Sequence, residues 1–598
     1  MRILFSMRHL GSLRIFESVV RQLASEDHEI LILAHRRDDS ELGSAPDLLF
    51  ADLPQIRWGW VEGQPDSWTE IAGAVRTWLD YLRYFEPRYA NAPRLRMRVG
   101  QHVSGLLRRI TEWPLVRASA GRRALVSCLR IVERALPRHR TLDALMREYR
   151  PDVVLVTPLV NLGSNQVEVL RSARAFGTRT ALCVASWDHL SSKARISELP
   201  DRVFVWNETQ KWEAMELHGI PVDRLTMTGA QCYDQWFNRK PARTYEQFCT
   251  TLKLPVNRRF LLYACSALYP VAPTEARFVR RWIKEIRGSD DPALRSASIL
   301  VRPHPTRLDE WREIDLSEFQ DVTLYGSLPI NEDAKADYFE SLYYSAAVVG
   351  LNTSAFLEAA IVGRSVHTII VPEFSERQEG TLHFHYLLSV GGGVLRVADT
   401  FDEHRALLQA SLREPRRADL NADFVTAFIR PHGLRTPATP LFSQAVAELL
   451  QSPLPRPAPT PFWAVPVRWF AWPAFQLLLR ISRAEVFRGD WNGKERRREH
   501  RREKHRRVRQ ERLRVAEAKE RERARVRSER TAREADALAK KADRQRVGAE
   551  KAALKGARSR VKAVRQRQKR RAVLRAQLKR GASRLLGRWR AGREGEAP

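Results

Sequence analysis

The first 450 residues alternate short apolar runs with longer runs whose apolar positions recur at helical spacing. At the N-terminus, "RILFSM" is typical of a buried strand, residues 10–27 have the spacing of an amphipathic helix, and "HEILIL" is typical of a second strand. Strands separated by helices of this length predict a parallel sheet with right-handed crossovers. The same alternation returns from about residue 152 and again from about residue 258.

This repetition predicts an α/β protein built from two doubly wound Rossmann-like domains. We expect an N-terminal domain over residues 1–240 and a second domain over residues 241–450. Residues 65–145, rich in Arg, Trp and Leu, predict a long helical insertion in the first domain. In doubly wound sheets the ligand lies in the crevice at the carboxyl ends of the strands, so we expect a site between the two halves.

The composition changes after residue 450. Residues 451–461 form a Pro-rich linker, and residues 462–489 form an amphipathic segment with many Trp and Phe. Residues 490–598 are expected to be a basic tail, largely helical or disordered. From residue 491 onward the chain has 40 Lys and Arg against 14 Asp and Glu, a net charge of +26 out of +32. The body is therefore close to neutral, and the high isoelectric point describes the tail.

Other features of the composition indicate a cytoplasmic protein. The five cysteines are scattered without a CxxC pair, which fits a reducing compartment and argues against a disulfide framework or a zinc site. The first residues contain no long apolar segment of the kind found in signal peptides. No uncharged apolar run reaches the ~18–20 residues of a transmembrane helix.

The stretch "GLNTSAFLEAAIVGRSVHTI", residues 350–369, carries the first candidate site. Asn352, Thr353 and Ser354 stand between a predicted strand and a predicted helix, and Glu358 lies one turn inside that helix. A helix start offers unpaired N–H groups and a partial positive charge that favour phosphate. The hydroxyls would add donors, and Glu358 would accept hydrogen bonds from a ribose. The alternative is a simple N-cap followed by an exposed glutamate.

The motif "VRPHP", residues 301–305, carries the second candidate site. A strand ends here, and the two prolines disfavour helix for the residues before them, so His304 is presented on an extended loop. Arg302 and His304 are both candidate phosphate contacts, and the alternative for His304 is a purely structural role.

Together, "RPHP" and the stretch that follows it some 50 residues later resemble the donor half of GT-B enzymes. More narrowly, they are similar to the bacterial group that contains CDP-glycerol glycerophosphotransferases and capsule-type transferases with an HP motif. At the level of architecture the resemblance covers residues 1–450, and its motifs lie in the second half. It implies that His304, Thr353 and Ser354 bind donor phosphates and that Glu358 binds the ribose. It implies a UDP-, CDP- or CMP-linked donor as substrate, with no cofactor and no metal.

Three further loops contain candidate residues. In "TLHFHYLLSVGGGVLRV" His383 and His385 precede three glycines, in a segment that would either close over the donor or form a surface turn. In the first half, the loop "SMRHLGS" offers His9 and the loop "ASWDHLSSK" offers Asp188 as the base that takes the proton of an acceptor hydroxyl. The sequence does not rank these two, and an Asx-type turn is the alternative for Asp188.

The aromatic segment and the tail suggest attachment to a membrane. In residues 462–482 Trp and Phe surround Arg468 and two prolines, which suits the headgroup boundary of an anionic bilayer. The alternative is a helix packed back onto the body. Near the C-terminus Leu574, Leu578, Leu585 and Trp589 share one face among arginines. We favour a membrane or a partner protein over nucleic acid for the tail, because most of it interleaves Glu and has no aromatic residues for base stacking.

These observations lead to one expected function and two alternatives. We expect a transferase at the inner face of the plasma membrane that moves a glycosyl or glycerol-phosphate group from a nucleotide-activated donor. Its acceptor would be a polysaccharide or a lipid-linked molecule in cell-surface or teichoic-acid-like biosynthesis. The alternatives are a sugar-nucleotide 2-epimerase of the same fold and a non-catalytic scaffold that its tail carries to a membrane or to nucleic acid.

Overall fold

The strands of the two halves form two parallel sheets. In the computed structural model the described residues of the first half form a seven-stranded sheet and those of the second a six-stranded sheet, and every strand pair among them runs parallel. The strands are β1 (Arg2–Met7), β2 (Glu29–Ala34), β3 (Ile56–Trp60), β4 (Val153–Thr157), β5 (Arg179–Cys183), β6 (Arg202–Val205), β7 (Leu225–Met227), β8 (Phe260–Ala264), β9 (Ser298–Arg302), β10 (Val322–Leu324), β11 (Ala347–Val349), β12 (Ser365–Ile369) and β13 (Leu395–Ala398).

The structure describes most of the body and part of the tail. The described residues are 1–36, 45–61, 67–90, 92–267, 274–327, 329, 331–414, 417–483, 548 and 551–581. The chain divides into two units, Met1–Gly489 and Asp490–Pro598.

Helices connect and cover the strands. They are α1 (Leu13–Ser25), α2 (Ala45–Phe50), α3 (Ser67–Arg83), α4 (Pro93–Gly100), α5 (Gly105–Glu112), α6 (Pro114–Arg117), α7 (Ser119–Ala135), α8 (Arg140–Tyr149), α9 (Gln166–Ala175), α10 (His189–Ser192), α11 (Glu208–His218), α12 (Asp234–Asn238), α13 (Tyr245–Thr251), α14 (Glu275–Arg287), α15 (Pro292–Arg295), α16 (Glu332–Tyr344), α17 (Ala355–Ile361), α18 (Leu382–Ser389), α19 (Phe401–Arg413), α20 (Ala422–Phe428), α21 (Ala438–Gln451) and α22 (Ala464–Arg483).

The strand order shows where a ligand site can form. It is β3-β2-β1-β4-β5-β6-β7 in the first sheet and β10-β9-β8-β11-β12-β13 in the second. In each sheet the chain winds outward on one side of its first strand and then outward on the other. The direction reverses between β1 and β4 and between β8 and β11, which opens a crevice at the carboxyl ends of these strands. These sheets confirm the predicted fold of two doubly wound Rossmann-like halves.

The central strands are buried and mostly apolar because helices cover both faces of each sheet. Strands β4 and β8 are buried at every residue. A strand that is buried on both sides has no polar face, so "VVLVT" and "FLLYA" lack the alternation of a half-exposed strand. Continuous apolar runs of this kind are what made the two sheets predictable.

The helical insertion lies between β3 and β4, as the sequence predicts, and comprises α3 to α8. It has its own core, in which Trp78, Tyr81 and Leu95 are buried. Its long helix α3 is tied to the first sheet through an interior ion network, because Arg76 pairs with Glu133 of α7 and with Glu168 of α9. The insertion is therefore firmly attached to the first half and can hold α4 in a fixed position.

The last helix of the predicted second domain, α21, lies on the first sheet instead. Phe442 packs edge to face against Phe16 of α1, at a centroid distance of 6.1 Å, and against Phe204 of β6, at 5.1 Å. The hydroxyls of Ser18 and Thr439 are 2.9 Å apart at the same contact. The chain thus returns to the first half before residue 450. The sequence-based boundary assigns this part of the chain to the second domain.

The aromatic segment forms α22, which packs against the insertion. Ala471 and Phe475 are buried in the core of the insertion, and Arg468 donates to the carbonyl of Ala135 at 2.5 Å. Among the described residues, no helix combines the length and the apolar content needed to cross a bilayer.

In the second unit, residues 551–581 form an exposed helix with 13 Lys and Arg and no acidic residue. Leu574 and Leu578 lie on this helix, where both are exposed. Residues 490–547, Leu585 and Trp589 lie outside the described residues.

Candidate functional site

A cavity of about 310 Å³ lies in the crevice between the two halves. Three parts of the chain form its walls: the loop after β5, the loops after β8, β9, β11 and β12 together with the start of α18, and helix α4 of the insertion. Its lining residues are Arg94, Leu95, Arg98, Ser186, Trp187, Asp188, Ser192, Lys193, Ala267, His304, Asn352, Thr353, Ser354, Arg377, Thr381 and His383. The cavity therefore brings together six of the nine predicted site residues.

His304 enters the cavity from the loop after β9, as the "RPHP" motif predicts. The backbone N–H of Thr306 donates to its Nδ1 at 3.3 Å, so this nitrogen is an acceptor and the ring proton is placed on Nε2. Burial, together with the positive charges of Arg14 and Arg307, lowers the pKa of His304 to about 4. At neutral pH the ring is uncharged, so it can offer an Nε2–H donor to a ligand but no positive charge.

The stretch after β11 forms the adjacent wall. A Cβ on Gly350 would lie 2.8 Å from the carbonyl oxygen of Ala264, so only glycine lets the chain leave the sheet at this point. Asn352 then fixes the loop by donating from Nδ2 to the carbonyl of Arg377 at 2.7 Å. The exposed hydroxyl of Ser354 makes no capping bond to α17. The hydroxyl of Thr353 instead accepts from the backbone N–H of Ala355 at 3.4 Å, so the N-cap interpretation holds for Thr353 and not for Ser354.

His383 reaches the cavity from the start of α18. Its ring meets Trp187 edge to face, at a centroid distance of 4.8 Å, and its Nε2 lies 3.3 Å from Nδ2 of Asn352. Burial lowers the pKa of His383 to about 4, which leaves the imidazole neutral. His385 instead points to the surface, where it contacts the carbonyl of Glu379 at 2.7 Å. The two histidines thus face different surroundings.

The three glycines that follow α18 form a tight turn between this helix and β13. All three have positive φ, of 55°, 82° and 79°, which side chains rarely allow. The surface-turn alternative describes this segment better than a loop that covers the donor, although His383 at the start of the helix does face the cavity.

Asp188 supplies the acidic group on the first-half wall. Its carboxylate accepts from Ser186 at 2.7 Å and from Ser192 at 3.0 Å, and it pairs with Lys193 at 3.0 Å. Burial alone would raise the pKa of Asp188, but the charge of Lys193 and the hydrogen bond from Ser186 hold it well below its usual range. The group is ionised at neutral pH. The same contacts hold the loop in shape. Asp188 therefore has a structural role and also lines the cavity.

Helix α4 supplies two arginines that sequence reasoning missed. Arg94 pairs with Glu376 of the second half at 3.3 Å, while Arg98 donates to the carbonyl of Ser192 in the first half. Both line the cavity, one turn apart on the same helix face. The insertion therefore spans the crevice and touches both halves. The spacing of four residues between Arg94 and Arg98 predicts that both lie on one helix face. The insertion contains so many arginines that this pair cannot be recognised in the sequence.

The lining of the cavity is strongly cationic. Among the described residues that line it, the basic side chains are Arg94, Arg98, Lys193 and Arg377, and the one acidic side chain is Asp188. The pKa of Arg377 falls to about 10, first because of burial and then because Arg94 and other arginines lie nearby. Guanidinium groups in a partly buried site favour phosphate or carboxylate ligands, with which they form charge-assisted hydrogen bonds. The positive charge of the cavity therefore favours an anionic ligand.

Arg302 is one of the three predicted residues that the cavity excludes. It still belongs to β9, and its guanidinium is buried, donating to Ser341 at 2.8 Å and lying 5.1 Å from the ring centre of Tyr338. The chain leaves the strand only after this residue, so its side chain turns toward α16 while His304 enters the loop. Arg302 is therefore not among the residues that line the cavity, and its phosphate contact stays a prediction.

Glu358 and His9 are the other two predicted site residues that do not line the cavity. The hydroxyl of Tyr338 donates to the carboxylate of Glu358, and burial raises the pKa of that carboxyl to about 7. His9 precedes the short turn Leu10–Ser12, with its Nδ1 3.4 Å from the hydroxyl of Ser12. Neither residue is among those that line the cavity, so their predicted roles toward ribose and acceptor stay predictions.

The arrangement can bind an anion and receive a proton in the same space. Four Lys and Arg side chains line the cavity together with His304, whose Nε2–H can donate to an oxygen of a phosphate. The ionised carboxylate of Asp188 and the neutral ring of His383 are the groups in the cavity that can accept a proton from a hydroxyl.

No protein-family model matches this chain, and no curated protein matches its sequence. Several solved structures align with it. One is UDP-GlcNAc 2-epimerase from Neisseria meningitidis bound to UDP-GlcNAc, with 13% identity and a TM-score of 0.44 over 75% of this chain and 100% of that chain. Another is UDP-GlcNAc 2-epimerase from Methanocaldococcus jannaschii, with 11% identity and a TM-score of 0.42 over 75% and 99%. A third is a glycosyltransferase from Rickettsia africae ESF-5, with 10% identity and a TM-score of 0.43 over 76% and 99%. These identities are too low to assign a residue's role in this chain.

Proposed function

We propose that this protein is a GT-B transferase that moves a glycosyl or glycerol-phosphate group from a nucleotide-activated donor to an acceptor hydroxyl. The observation that carries the proposal is the cationic cavity between the two halves, where Arg377 and His304 face Asp188 across the crevice. A nucleotide-activated donor has the phosphates that such a lining favours, and group transfer from it needs a proton acceptor in the same space.

The walls suggest a division of roles. The second half would hold the donor phosphates through His304, Thr353 and Ser354, which the resemblance implies, while Arg377 adds a positive charge. On the opposite wall, Asp188 would accept the proton of the acceptor hydroxyl, since it is ionised at neutral pH and His9 is not in the cavity. Its lowered pKa makes it a weak base, so its contribution would depend on being held close to the hydroxyl.

The resemblance of "RPHP" and "GLNTSAFLEAA" supports a finer version of the proposal. Within GT-B enzymes it favours the group of CDP-glycerol and HP-motif transferases, and hence a polysaccharide or lipid-linked acceptor in bacterial cell-surface biosynthesis. An acceptor that carries phosphate would suit the cationic residues of α4 and Lys193, which line the cavity.

A binding experiment tests the donor site. The full chain is screened by thermal shift against UDP-, CDP-, CMP- and GDP-linked donors, in which a ligand at a hundredfold excess over Kd stabilises by ~2.7 kcal/mol. We expect a shift with one nucleotide class in the wild type and a much smaller shift in Thr353→Val. Thr250→Val, at an exposed position on α13, is the matched control and should behave as wild type. No shift with any donor would refute the proposal and favour a non-catalytic scaffold.

A turnover experiment tests the chemistry. With the donor that binds, Asp188→Asn should retain nucleotide binding but lose transfer to an acceptor by about 10²-fold or more, the usual contribution of a general base. Equal turnover of Asp188→Asn and wild type would remove Asp188 from the mechanism.

The convergence of Asp188, Lys193 and His383 in one cavity favours a second candidate function, that of a sugar-nucleotide 2-epimerase. Epimerisation needs acidic and basic groups around the sugar, and the sequence alone places no such set in the first half. Incubation with UDP-GlcNAc in the absence of an acceptor separates the two functions. The epimerase produces the C2 epimer with the nucleotide still attached, whereas the transferase leaves the sugar nucleotide unchanged until an acceptor is added.

A further inference from the structure

Helix α22 has two faces of opposite character. One face is held by the insertion, where Ala464, Ala471 and Phe475 are buried. Two polar contacts fix the helix in the same place, because Arg468 donates to the carbonyl of Ala135 and Trp472 donates from Nε1 to the hydroxyl of Ser67 at 3.2 Å. The orientation of the helix on the body is therefore set by its own packing, and the outer face is a property of the folded protein.

The outer face is apolar and exposed. Its large side chains are Phe462, Val465, Trp469, Phe470 and Leu477, which are exposed by 90%, 48%, 75%, 79% and 59%. Val465, Trp469, Phe470 and Leu477 share one side of the helix because their spacing follows the helical repeat, and Phe462 lies just before the helix begins. We call these five residues the aromatic face. Soluble proteins rarely leave large contiguous apolar areas in water, so a surface of this kind indicates a binding partner.

The surroundings of the aromatic face are positively charged. Residues 464–483 contain three arginines and no acidic residue, and residues 105–135 of the adjoining helices contain seven arginines and two glutamates. One of these glutamates, Glu133, is buried in ion pairs with Arg76 and Arg195. Helix α22 packs against α5 and α7 of this region and also against α3, in which two arginines balance two acidic residues. Next to α5, Trp113 and Leu115 are exposed by 62% and 69%.

We propose that the aromatic face of α22 is a docking surface for an anionic lipid bilayer. Trp and Phe side chains on a helix that lies parallel to the surface insert at the headgroup boundary, and nearby arginines meet lipid phosphates. The excess of arginine is the observation that selects an anionic bilayer over a second copy of this chain, because a symmetric contact would bring like charges together. This docking surface would determine where the protein is located, and the proposal does not depend on the proposed transfer reaction.

Flotation of the full chain with lipid vesicles tests this surface. The vesicles contain phosphatidylcholine with about 30% phosphatidylglycerol, whose charge attracts basic surfaces. The measurements are made at low salt and at about 0.5 M NaCl, where adsorption of the basic tail through charge alone is screened. The wild type should remain bound at high salt, and Trp469→Ser/Phe470→Ser should partition at least about tenfold more weakly, because two apolar anchors are lost.

A matched control separates a specific face from a general loss of exposed tryptophan. Trp212 on α11 is exposed by 52%, and Trp212→Ser should partition as the wild type does. All replaced side chains are exposed, so the thermal midpoints of the variants should match that of the wild type.

Two results would overturn the proposal. One is equal partitioning of the double variant and the wild type at high salt. The other is a wild type that does not bind the vesicles but forms a dimer that the double variant abolishes, since the face would then bind a second copy.

Discussion

Glu213 on α11 makes the stability of the two-domain body depend on pH. Its carboxyl group is fully buried at the boundary between the halves, and the hydroxyl of Tyr386 from α18 lies 2.7 Å from its Oε1. Burial raises the pKa of Glu213 to about 8, against an ordinary value of 4.5, and the hydrogen bond from Tyr386 only partly offsets this effect. Between these two values the folded protein keeps a proton that the unfolded chain has released. The free energy of unfolding therefore falls as the pH rises through this range.

The size of the effect follows from the two pKa values. At ~1.4 kcal/mol per pKa unit, the difference between 4.5 and about 8 corresponds to at most about 5 kcal/mol, lost between about pH 4.5 and about pH 8. Glu213→Gln has nearly the same shape and no ionisable group, so it should not show this loss. We expect the thermal midpoint of Glu213→Gln to rise relative to wild type by several degrees from about pH 5 to about pH 9.

The difference between variant and wild type is the quantity to measure, because all other titrating groups cancel in it. Glu208→Gln is the matched control, since Glu208 lies on the same helix with its side chain 69% exposed and paired to Lys211 at 3.2 Å. Its midpoint should follow the wild type at every pH. A constant midpoint difference between Glu213→Gln and wild type from about pH 5 to about pH 9 would show that this carboxyl does not titrate in the folded range.

Three other changes have expected outcomes. Glu340 is fully buried and accepts from the backbone N–H of Arg243 at 2.9 Å and from its Nε at 2.7 Å, so Glu340→Ala should lower the free energy of unfolding by about 3 kcal/mol in denaturant titrations. A Cβ at Gly350 would press on the carbonyl of Ala264 at 2.8 Å, so Gly350→Ala should weaken nucleotide binding in a thermal-shift titration, and unchanged binding would contradict a rigid loop. Phe442 is 1% exposed beneath the first sheet, and Phe442→Ala should destabilise the protein by about 4 kcal/mol through the cavity it leaves.

The strands of the fold were predictable, because burial on both sides restricts their residues to apolar types. The sheet on which a helix packs was not predictable, because the order of elements along the chain does not determine it. The two sheets follow from apolar runs that helices cover on both sides. By contrast, α21 is an amphipathic helix that would suit either sheet, and only the packing of Phe442 against Phe16 shows that it belongs to the first. A hydrophobic stripe indicates that one face of a helix is buried, but it does not indicate which sheet that face packs against.

The site was predictable where a loop directly follows a strand. His304 and Asn352 follow central strands of the second sheet, and the topology alone brings their loops to the crevice. Arg302, two residues before His304, does not line the cavity, because it is still within the strand and its side chain donates to Ser341. Arg94 could not be predicted, because its position depends on how the insertion folds over the crevice.

The contacts across the crevice imply that the cavity and the docking of the two halves form together. Tyr386 joins the halves through Glu213, and Arg94 of the insertion joins the second half through Glu376. Since the walls of the cavity come from both halves and from α4, a ligand that touches all three walls binds only the docked arrangement. Such a ligand stabilises the docked state by mass action and should raise the unfolding temperature of both halves together. The insertion would then serve the site in two ways, because α4 supplies cations to the cavity and also connects the halves around it.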